Sequence, residues 1–288
     1  MSDTSKIEWT NATLNCLVGC KKISPGCANC YACKDVIRMA GNPNPKVAAA
    51  NKGLARRQEN GTLNWTGKVN ILPERLANVF EWSTPKKVFV NSLSDMFHED
   101  VPAAFVRRAL GVMRAAPWHT FQILTKRHER LAELGCALDW PDNVWLGVSV
   151  ENNDWSRRAD ALRTIPARVK FLSVEPMLSA VPDLDVAGLH WVITGGESGP
   201  RARPFDPAWA IEVRDKCEAA GVKFFHKQNG GRNKKLTGRL LDGREYNEMP
   251  LVREVPVPPK AVRRELATRL VPEAYSSNAG KVALEVIS

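Results

Sequence analysis

Short apolar runs recur along the chain, and each is followed by a stretch in which apolar residues have helical spacing. Several runs are almost continuously apolar, which is typical of parallel strands buried on both faces. Six or seven repeats of strand and helix predict an α/β fold of about six to seven parallel strands, as a sheet or a barrel, open or closed. The predicted strands are residues 7–11, 87–91, 120–124, 144–149, 169–174, 190–194 and 222–226.

The helical stretches between these runs are clearest at two places. In residues 103–115 Phe105, Leu110 and Met113 share one apolar face. Residues 206–221 begin with Asp-Pro and stop at a glycine, which are common start and stop signals of a helix. Both stretches are therefore predicted as helices.

Polar side chains follow several predicted strands, at the point where each strand ends. In barrel-like α/β folds the active site forms at the carboxyl ends of the strands, so this pattern favours an enzyme. Glu151 and Glu175 each end a strand and are candidate catalytic carboxylates. Their structural alternative is an ion pair to Lys126 or Arg127.

Two other strand ends carry candidate cofactor-binding residues, whose side chains or backbone could contact a ribose or a substrate. The alternatives are N-capping of a helix by Ser94 or Asp95, and a tight glycine turn that ends in a carboxylate. The candidates are Asn91, Ser94 and Asp95 after the second strand, and Gly195, Gly196 and Glu197 after the sixth.

The domain organisation follows from where this alternation stops. Residues 1–250 are predicted as one barrel domain, with residues 39–66 as an insertion that caps the cysteine-rich loop. Residues 251–288 are predicted as a proline-rich linker followed by one charged helix over residues 261–270, in an appendage.

Composition and charge narrow the class of protein. With 44% hydrophobic and 25% charged residues, and no apolar stretch of the roughly 20 residues that cross a bilayer, the chain is predicted to be cytosolic, away from membranes. The net charge of +10 favours a nucleic acid or another polyanion as partner. Residues 201–244 hold eleven Lys and Arg against five Asp and Glu.

A basic loop within this stretch surrounds Gly230 and Gly231 and is predicted to contact phosphates. An ordinary solvated basic surface is the alternative. The candidate nucleic-acid-binding residues are Lys227, Arg232, Lys234, Lys235 and Arg239.

Five of the seven cysteines fall between positions 16 and 33, with the spacing C-x3-C-x6-C-x2-C-x2-C. In a cytosolic protein such a cluster more often binds metal than forms disulfides. Cys20, Cys27 and Cys30 form a compact triad suited to an iron–sulfur cluster with one open iron. Four thiolates around a structural zinc ion remain the alternative. Cys16 and Cys33 are then spare.

The other two cysteines, Cys136 and Cys217, stand alone on helix-like stretches and are predicted to be core residues. No P-loop, Ser-His-Asp set or zinc-protease motif is present in the sequence, which excludes the common hydrolase classes.

The cysteine block and its surroundings resemble the phage-associated three-cysteine-motif proteins, a group similar to radical S-adenosylmethionine (SAM) enzymes. The run Gly19-Cys20-x6-Cys27-x2-Cys30-Tyr31 carries the resemblance. The supporting blocks are residues 9–15, 91–97, 124–127, 145–152, 171–177, 191–199 and 241–250.

This resemblance implies a radical-SAM-like partial barrel with an N-terminal cysteine-cluster loop. It implies that Cys20, Cys27 and Cys30 hold a [4Fe–4S] cluster whose open iron binds SAM, and that a reductant feeds the cluster. Reductive cleavage of SAM would then yield a 5′-deoxyadenosyl radical. Residues 195–197 resemble the Gly-Gly-Glu element that contacts the SAM amino group in such enzymes.

The sequence thus predicts an iron–sulfur protein with radical-SAM-type chemistry on nucleic acid or a nucleotide, in the cytoplasm of a bacterial host. The alternative is a non-enzymatic nucleic-acid-binding protein with a structural zinc or iron–sulfur site. These two hypotheses differ in the metal and in the need for an open coordination position.

Overall fold

The computed structural model describes residue 5 and residues 7–275. Seven strands form one parallel sheet that curls into a half-barrel, and four short strands form two antiparallel pairs beside it. The strands are β1 (Ala12–Leu14), β2 (Leu17–Val18), β3 (Ala55–Arg57), β4 (Leu63–Trp65), β5 (Asn70–Ile71), β6 (Lys87–Val90), β7 (Thr120–Thr125), β8 (Val144–Ser149), β9 (Val169–Val174), β10 (Trp191–Gly195) and β11 (Lys223–Gln228).

Eight α-helices accompany the strands in the described residues. They are α1 (Tyr31–Ala40), α2 (Pro45–Asn51), α3 (Ala103–Arg114), α4 (His128–Gly135), α5 (Arg158–Arg163), α6 (Pro207–Ala220), α7 (Lys234–Thr237) and α8 (Lys260–Leu270). Short 3₁₀ helices cover Pro25–Cys27, Pro73–Phe80, Asn153–Trp155 and Pro272–Ala274.

The sheet order is β1-β6-β7-β8-β9-β10-β11, and every neighbouring pair is parallel. The strands therefore follow one another in chain order, as successive β-α units produce when each crossover returns to the same side. This confirms the predicted α/β partial barrel of parallel strands.

The two faces of the sheet bury different side chains. One face joins the outer helices in the main core, where Val88, Leu146 and Leu172 lie. Alternate positions of the same strands point to the other face, because successive side chains of a strand alternate. That face holds a cluster of Trp9, Phe89, Trp145, Phe171, Trp191, Ile193 and Phe225.

Six of the seven predicted strands are confirmed with small shifts at their ends, but the first is wrong. Residues 7–11 form turns, and β1 begins at Ala12. Trp9 leaves the strand path to enter the aromatic cluster, and Thr10 and Asn11 instead hydrogen-bond to Lys87 at the start of β6. Tertiary packing of Trp9 thus overrides the local β-propensity.

Both predicted helices form. The first is α3, and Asp206 caps α6 by accepting a hydrogen bond from the backbone N–H of Ala208 at 2.9 Å. Gly221 ends α6 with φ of 66°, a left-handed conformation that glycine adopts without strain.

Residues 39–66 contain more structure than their sequence indicates. Helix α2 lies here, and β3 pairs with β4 in a hairpin that the apolar pattern did not predict. These strands have three residues each and mix polar with apolar side chains, so they lack an apolar run. Lys22 donates to the carbonyl oxygen of Leu63 at 2.8 Å and so ties the hairpin to the cysteine loop.

The predicted helix near the carboxyl end also forms, as α8. Ala267 and Val271 lie in the main core, and Arg263 donates to the carbonyl oxygens of Phe80 and Trp82. In the described part of the chain, no helix is long and apolar enough to cross a membrane.

Candidate functional site

Two adjoining cavities lie at the carboxyl ends of the parallel strands. The smaller has a volume of about 140 Å³, and Cys20, Cys27 and Cys30 all line it. The larger has a volume of about 240 Å³ and contains Glu175 and Lys227. The residues common to both linings are Cys30, Phe89, Leu124, Lys126 and Ser149.

The segment from Cys20 to Cys30, called the cysteine loop here, brings the three predicted ligands Cys20, Cys27 and Cys30 to one cavity. Cys27 ends the 3₁₀ helix Pro25–Cys27, and Cys30 is the N-cap of α1. The partial positive charge at a helix N-terminus stabilises a thiolate. Lys22 closes the loop by donating to the carbonyl oxygen of Ala28 at 2.9 Å.

The thiols differ in their electrostatic surroundings. A hydrogen bond from Cys33 and the charge of Lys126 lower the pKa of Cys30 to about 6, although burial opposes this. Burial raises the pKa of Cys20 to about 12; Asp95 adds to this increase, and Arg127 opposes it. Of these two thiols, Cys30 is therefore the more readily ionised.

The spare cysteines are absent from the described lining of the smaller cavity but adjoin it. Cys16 is fully buried, and its thiol donates to Oδ1 of Asn91 at 3.5 Å. Cys33 packs in a small apolar cluster with Val36 and Leu54, and its thiol hydrogen-bonds to Cys30.

Of the two lone cysteines, Cys217 is buried as predicted, but Cys136 is exposed. Helix α4 ends at Gly135, so Cys136 follows the last helical residue and lies at the surface. The prediction that Cys136 is a core residue is therefore wrong.

Within residue 5 and residues 7–275, no three His, Cys, Asp or Glu side chains are arranged to hold one metal ion. Zinc requires its thiolates at about 2.3 Å from a common centre. A four-iron cluster binds each thiolate through a different iron, so its ligands stand further apart. Cys20, Cys27 and Cys30 place three soft thiol donors around one cavity, a donor type that zinc and iron–sulfur clusters both take.

Glu151 is fully buried beneath the cysteine loop. Its Oε1 accepts hydrogen bonds from Ser24 at 2.6 Å and Lys126 at 2.5 Å, and its Oε2 accepts one from Arg158 at 2.8 Å. Burial opposes ionisation, but Lys126 and Arg158 lower the pKa of Glu151 below its ordinary value. Glu151 thus forms a structural ion pair, which was the alternative to a catalytic role. Its partners are Lys126 and, in place of Arg127, Arg158.

Asn91, Ser94 and Asp95 line the smaller cavity. Asn91 has φ of 63°, and its side-chain oxygen accepts the N–H of Leu17. Ser94 donates to the carbonyl oxygen of Leu17 at 3.0 Å. These contacts hold the strand end against the segment that leads to Cys20.

The carboxylate of Asp95 is almost fully occupied. It accepts hydrogen bonds from Thr125 at 2.7 Å and from the N–H of Lys126, and it pairs with Arg127. Asp95 also accepts the N–H of Phe97 at 2.9 Å, a local capping contact.

Gly195 and Gly196 allow close approach of neighbouring chain segments. A Cβ on Gly195 would lie 2.8 Å from Oε1 of Glu175, and one on Gly196 would lie 2.7 Å from the carbonyl oxygen of Asn229. The next residue, Glu197, binds Arg203 through both carboxylate oxygens and also accepts from Asn29 at 2.9 Å.

Glu175 and Lys227 form an ion pair of 2.8 Å on the wall of the larger cavity. Ser173 also donates to Glu175, at 3.3 Å. The aromatic side chains of Trp9 and Phe89 line the same cavity. The larger cavity therefore combines one fixed pair of opposite charges with an apolar wall.

Comparison with known proteins gives one match. Residues 4–250 match a family described as "Protein of unknown function (DUF5131)". The chain belongs to this family. The DUF5131 region spans all seven strands of the half-barrel and the cysteine loop, and ends before α8. Among curated proteins none matches the chain, and none does among solved structures.

The basic loop of this DUF5131 protein is only partly available to a ligand. Lys227 pairs with Glu175, Lys234 pairs with Glu8, and Arg239 binds Asn247 and the carbonyl oxygen of His226. Arg232 and Lys235 are exposed, and neither has an ion pair within the described residues. The sequence grouped these five residues, but the structure separates them.

Several residues of the DUF5131 site were not singled out from the sequence. Arg158 and Arg203 hold the two carboxylates Glu151 and Glu197, and Asn29 joins Glu197 to the cysteine loop. Arg158 and Arg203 follow their carboxylates by seven and six residues, a spacing that matches no recognised motif, whereas Asn29 comes from a distant segment. For Asn29, the sequence offered one indication of a role in the site, namely its position directly before Cys30.

Proposed function

We propose that this protein is an iron–sulfur enzyme with radical-SAM-type chemistry that acts on nucleic acid or a nucleotide. One observation carries the proposal: the cavity lined by Cys20, Cys27 and Cys30 adjoins a second cavity, and both share Cys30 and Lys126. A cluster ligand thus borders the space in which a reactant can lie.

The cysteine loop supplies what a [4Fe–4S] cluster needs. Three thiolates hold three irons and leave the fourth open. When bound, such a cluster supplies one electron that cleaves SAM to methionine and a 5′-deoxyadenosyl radical. Arg127 lies 3.9 Å from the sulfur of Cys20, and the N-terminus of α1 faces Cys30, so positive charge offsets the thiolates.

The larger cavity supplies groups for the amino-acid part of SAM. Glu175 is suited to the ammonium group and Lys227 to the carboxylate, because both charged ends lie on its wall. Glu197 remains a candidate for the amino group, but its carboxylate is already held by Arg203. Gly195 and Gly196 then serve as the close-packed turn beside this pair.

The other candidate residues have positioning roles in this proposal. Glu151 supports the cysteine loop through Ser24, and Asn91, Ser94 and Asp95 support the strand end beside Cys20. The proposal also includes a reductant as partner and the cytoplasm of a bacterial host as location, since reduced thiols require a reducing compartment.

Anaerobic purification with iron, sulfide and zinc analysis tests the metal. The expected result is a brown protein with about four iron and four sulfide per chain. Cys20→Ser, Cys27→Ser and Cys30→Ser each lose the cluster, while Cys136→Ser, at the exposed lone cysteine, keeps it. A colourless zinc protein whose zinc depends on the same cysteines would support the non-enzymatic nucleic-acid-binding alternative.

Reduction with dithionite in the presence of SAM tests the chemistry. The expected products are methionine and 5′-deoxyadenosine, absent from the Cys30→Ser variant. A protein with an intact cluster that neither binds nor cleaves SAM would overturn the enzymatic part of the proposal and leave the iron–sulfur part standing.

A further inference from the structure

Two arginines from separate segments converge beside the larger cavity. Arg57, the last residue of β3, donates Nη1 to the carbonyl oxygen of Gly61 at 3.0 Å. Arg201, in the loop after β10, donates Nη2 to the same oxygen at 3.1 Å. The two guanidinium nitrogens therefore lie no further apart than about two hydrogen-bond lengths.

This pair of charges has no acidic partner among the described residues, although Glu59 lies in the same turn. By contrast, the nearby Arg203 is bound to Glu197. Both Arg57 and Arg201 are exposed. Two like charges held close together repel, and an anion between them removes the repulsion. The planar guanidinium group is suited to phosphate oxygens.

Arg201 is tied directly to the candidate site. Its carbonyl oxygen accepts a hydrogen bond from Asn29 at 2.9 Å, and Asn29 lines the larger cavity beside Cys30. The backbone of Arg201 is therefore in contact with a residue on the wall of the larger cavity.

Positive charge continues from this pair onto the next loop. The N–H of Gly199 donates to the carbonyl oxygen of Gly231 at 3.0 Å, which joins the loop after β10 to the loop after β11. Arg232 and Lys235 follow on that second loop, exposed. We call Arg57, Arg201, Arg232 and Lys235 the basic rim.

We propose that Arg57 and Arg201 bind a backbone phosphate of a single-stranded nucleic acid, so that one nucleotide of the strand lies at the mouth of the larger cavity. The rim extends over three chain segments, which suits several phosphates of a strand better than one free nucleotide. A single strand is needed because a nucleotide in a duplex must leave its stack to enter a cavity. The reaction at that nucleotide rests on the proposed function; the binding does not.

Fluorescence anisotropy with a labelled single-stranded oligonucleotide of about 12 residues, as DNA and as RNA, tests the binding. Arg57→Gln and Arg201→Gln should each weaken binding roughly three- to tenfold and lower the salt slope by about 0.7. The matched control is Arg56→Gln, which removes the same charge from the adjacent strand position, whose side chain points to the opposite face. It should bind within about twofold of the wild type, because it loses no phosphate contact.

Four results would overturn this inference. They are no oligonucleotide binding by the wild type, equal loss in Arg56→Gln and Arg57→Gln, equally tight binding of labelled AMP, and binding of anionic phospholipid vesicles instead of the oligonucleotide. Cluster content is measured in the same variants and should be unchanged, which shows that each variant folds. If the protein holds zinc and its oligonucleotide binding depends on Arg57, the proposed function is refuted but this inference is not. If the protein cleaves SAM but does not bind oligonucleotides, this inference is refuted but the proposed function is not.

Discussion

Gly26 of the cysteine loop lies directly against the buried side chain of Glu151. A Cβ on Gly26 would stand 2.3 Å from Cγ and 2.6 Å from Oε1 of Glu151. Glu151 cannot move aside, because Ser24, Lys126 and Arg158 hold its carboxylate. The loop between Cys20 and Cys27 therefore requires a residue without a side chain at this position.

Gly26→Ala is expected to lift the loop from Glu151 and to disturb the position of Cys27. Overpacking of this kind costs about 1–3 kcal/mol of unfolding free energy. Iron content after anaerobic reconstitution and urea unfolding measure both effects. Gly111→Ala is the control, because a Cβ there has no neighbour within 4 Å. Full iron content in Gly26→Ala would contradict the proposed contact.

Glu151→Gln is expected to destabilise the fold strongly. It leaves the fully buried Arg158 without its charged partner, and breaking a buried ion pair costs roughly 3–5 kcal/mol. Asp142→Asn removes one partner of an exposed pair with Arg168 and should change stability by less than about 1 kcal/mol. Urea denaturation of both variants gives the comparison, and equal losses would argue against a buried pair at Glu151.

Glu175→Gln is expected to weaken SAM binding roughly tenfold without loss of the cluster, because the variant loses one charge-assisted hydrogen bond to the ammonium group. Anaerobic isothermal titration calorimetry measures the affinity. Glu248→Gln is a matched control, since Glu248 also pairs with a lysine, Lys223 at 3.0 Å, but at an exposed position. Unchanged affinity in Glu175→Gln would remove Glu175 from the proposed SAM site.

His119 is expected to make the fold sensitive to acid. Its Nδ1 accepts the backbone N–H of Lys86 at 3.0 Å, and its Nε2 lies 2.9 Å from the carbonyl oxygen of Val79, so both nitrogens are satisfied in the neutral form. Burial lowers the pKa of His119 to about 4. The stabilisation is present above pH 6.5 and is lost as the pH falls toward 4, because only the unfolded chain takes up the proton.

The difference between 6.5 and about 4 corresponds to about 3 kcal/mol. Urea unfolding at pH 7 and pH 4.5 should therefore show a smaller acid loss in His119→Gln than in the wild type. The other four histidines and the carboxylates titrate in both proteins, so the comparison isolates His119. Parallel pH profiles would show that this histidine is not the cause.

Arg263→Met is expected to loosen α8 from the barrel. Arg263 is 7% exposed and donates to the carbonyl oxygens of Phe80, Trp82 and Pro258. Unsatisfied buried carbonyls cost about 1–3 kcal/mol. Arg264→Met, on the exposed side of the same turn, should stay within about 0.5 kcal/mol of the wild type. Thermal unfolding followed by circular dichroism distinguishes the two.

The strands were predictable because their signal is local. Runs such as residues 144–149 are apolar throughout, and β8 is buried at every position. The hairpin of β3 and β4 was missed because each strand has three residues and polar residues interrupt its apolar ones. The first strand begins later in the chain than predicted, because Trp9, the aromatic residue of the predicted run, packs in the aromatic cluster instead.

The site was only partly predictable for a related reason. The alternation predicted that Glu151, Glu175 and Glu197 gather at strand ends, and all three lie there. It could not indicate which carboxylate stays available, because the path that each loop takes over the folded sheet decides which charged side chain reaches it. Arg203 occupies Glu197, whereas Glu175 meets Lys227 on a cavity wall.

The sequence by itself determined the parallel half-barrel and the three cysteines that meet at its carboxyl edge, because apolar periodicity and cysteine spacing are properties of short segments. Only the tertiary structure decided which charges are paired and which remain free. Arg201 reaches the carbonyl oxygen of Gly61 across 140 residues of chain. Such contacts depend on the paths of loops over the folded sheet, and no local spacing encodes those paths.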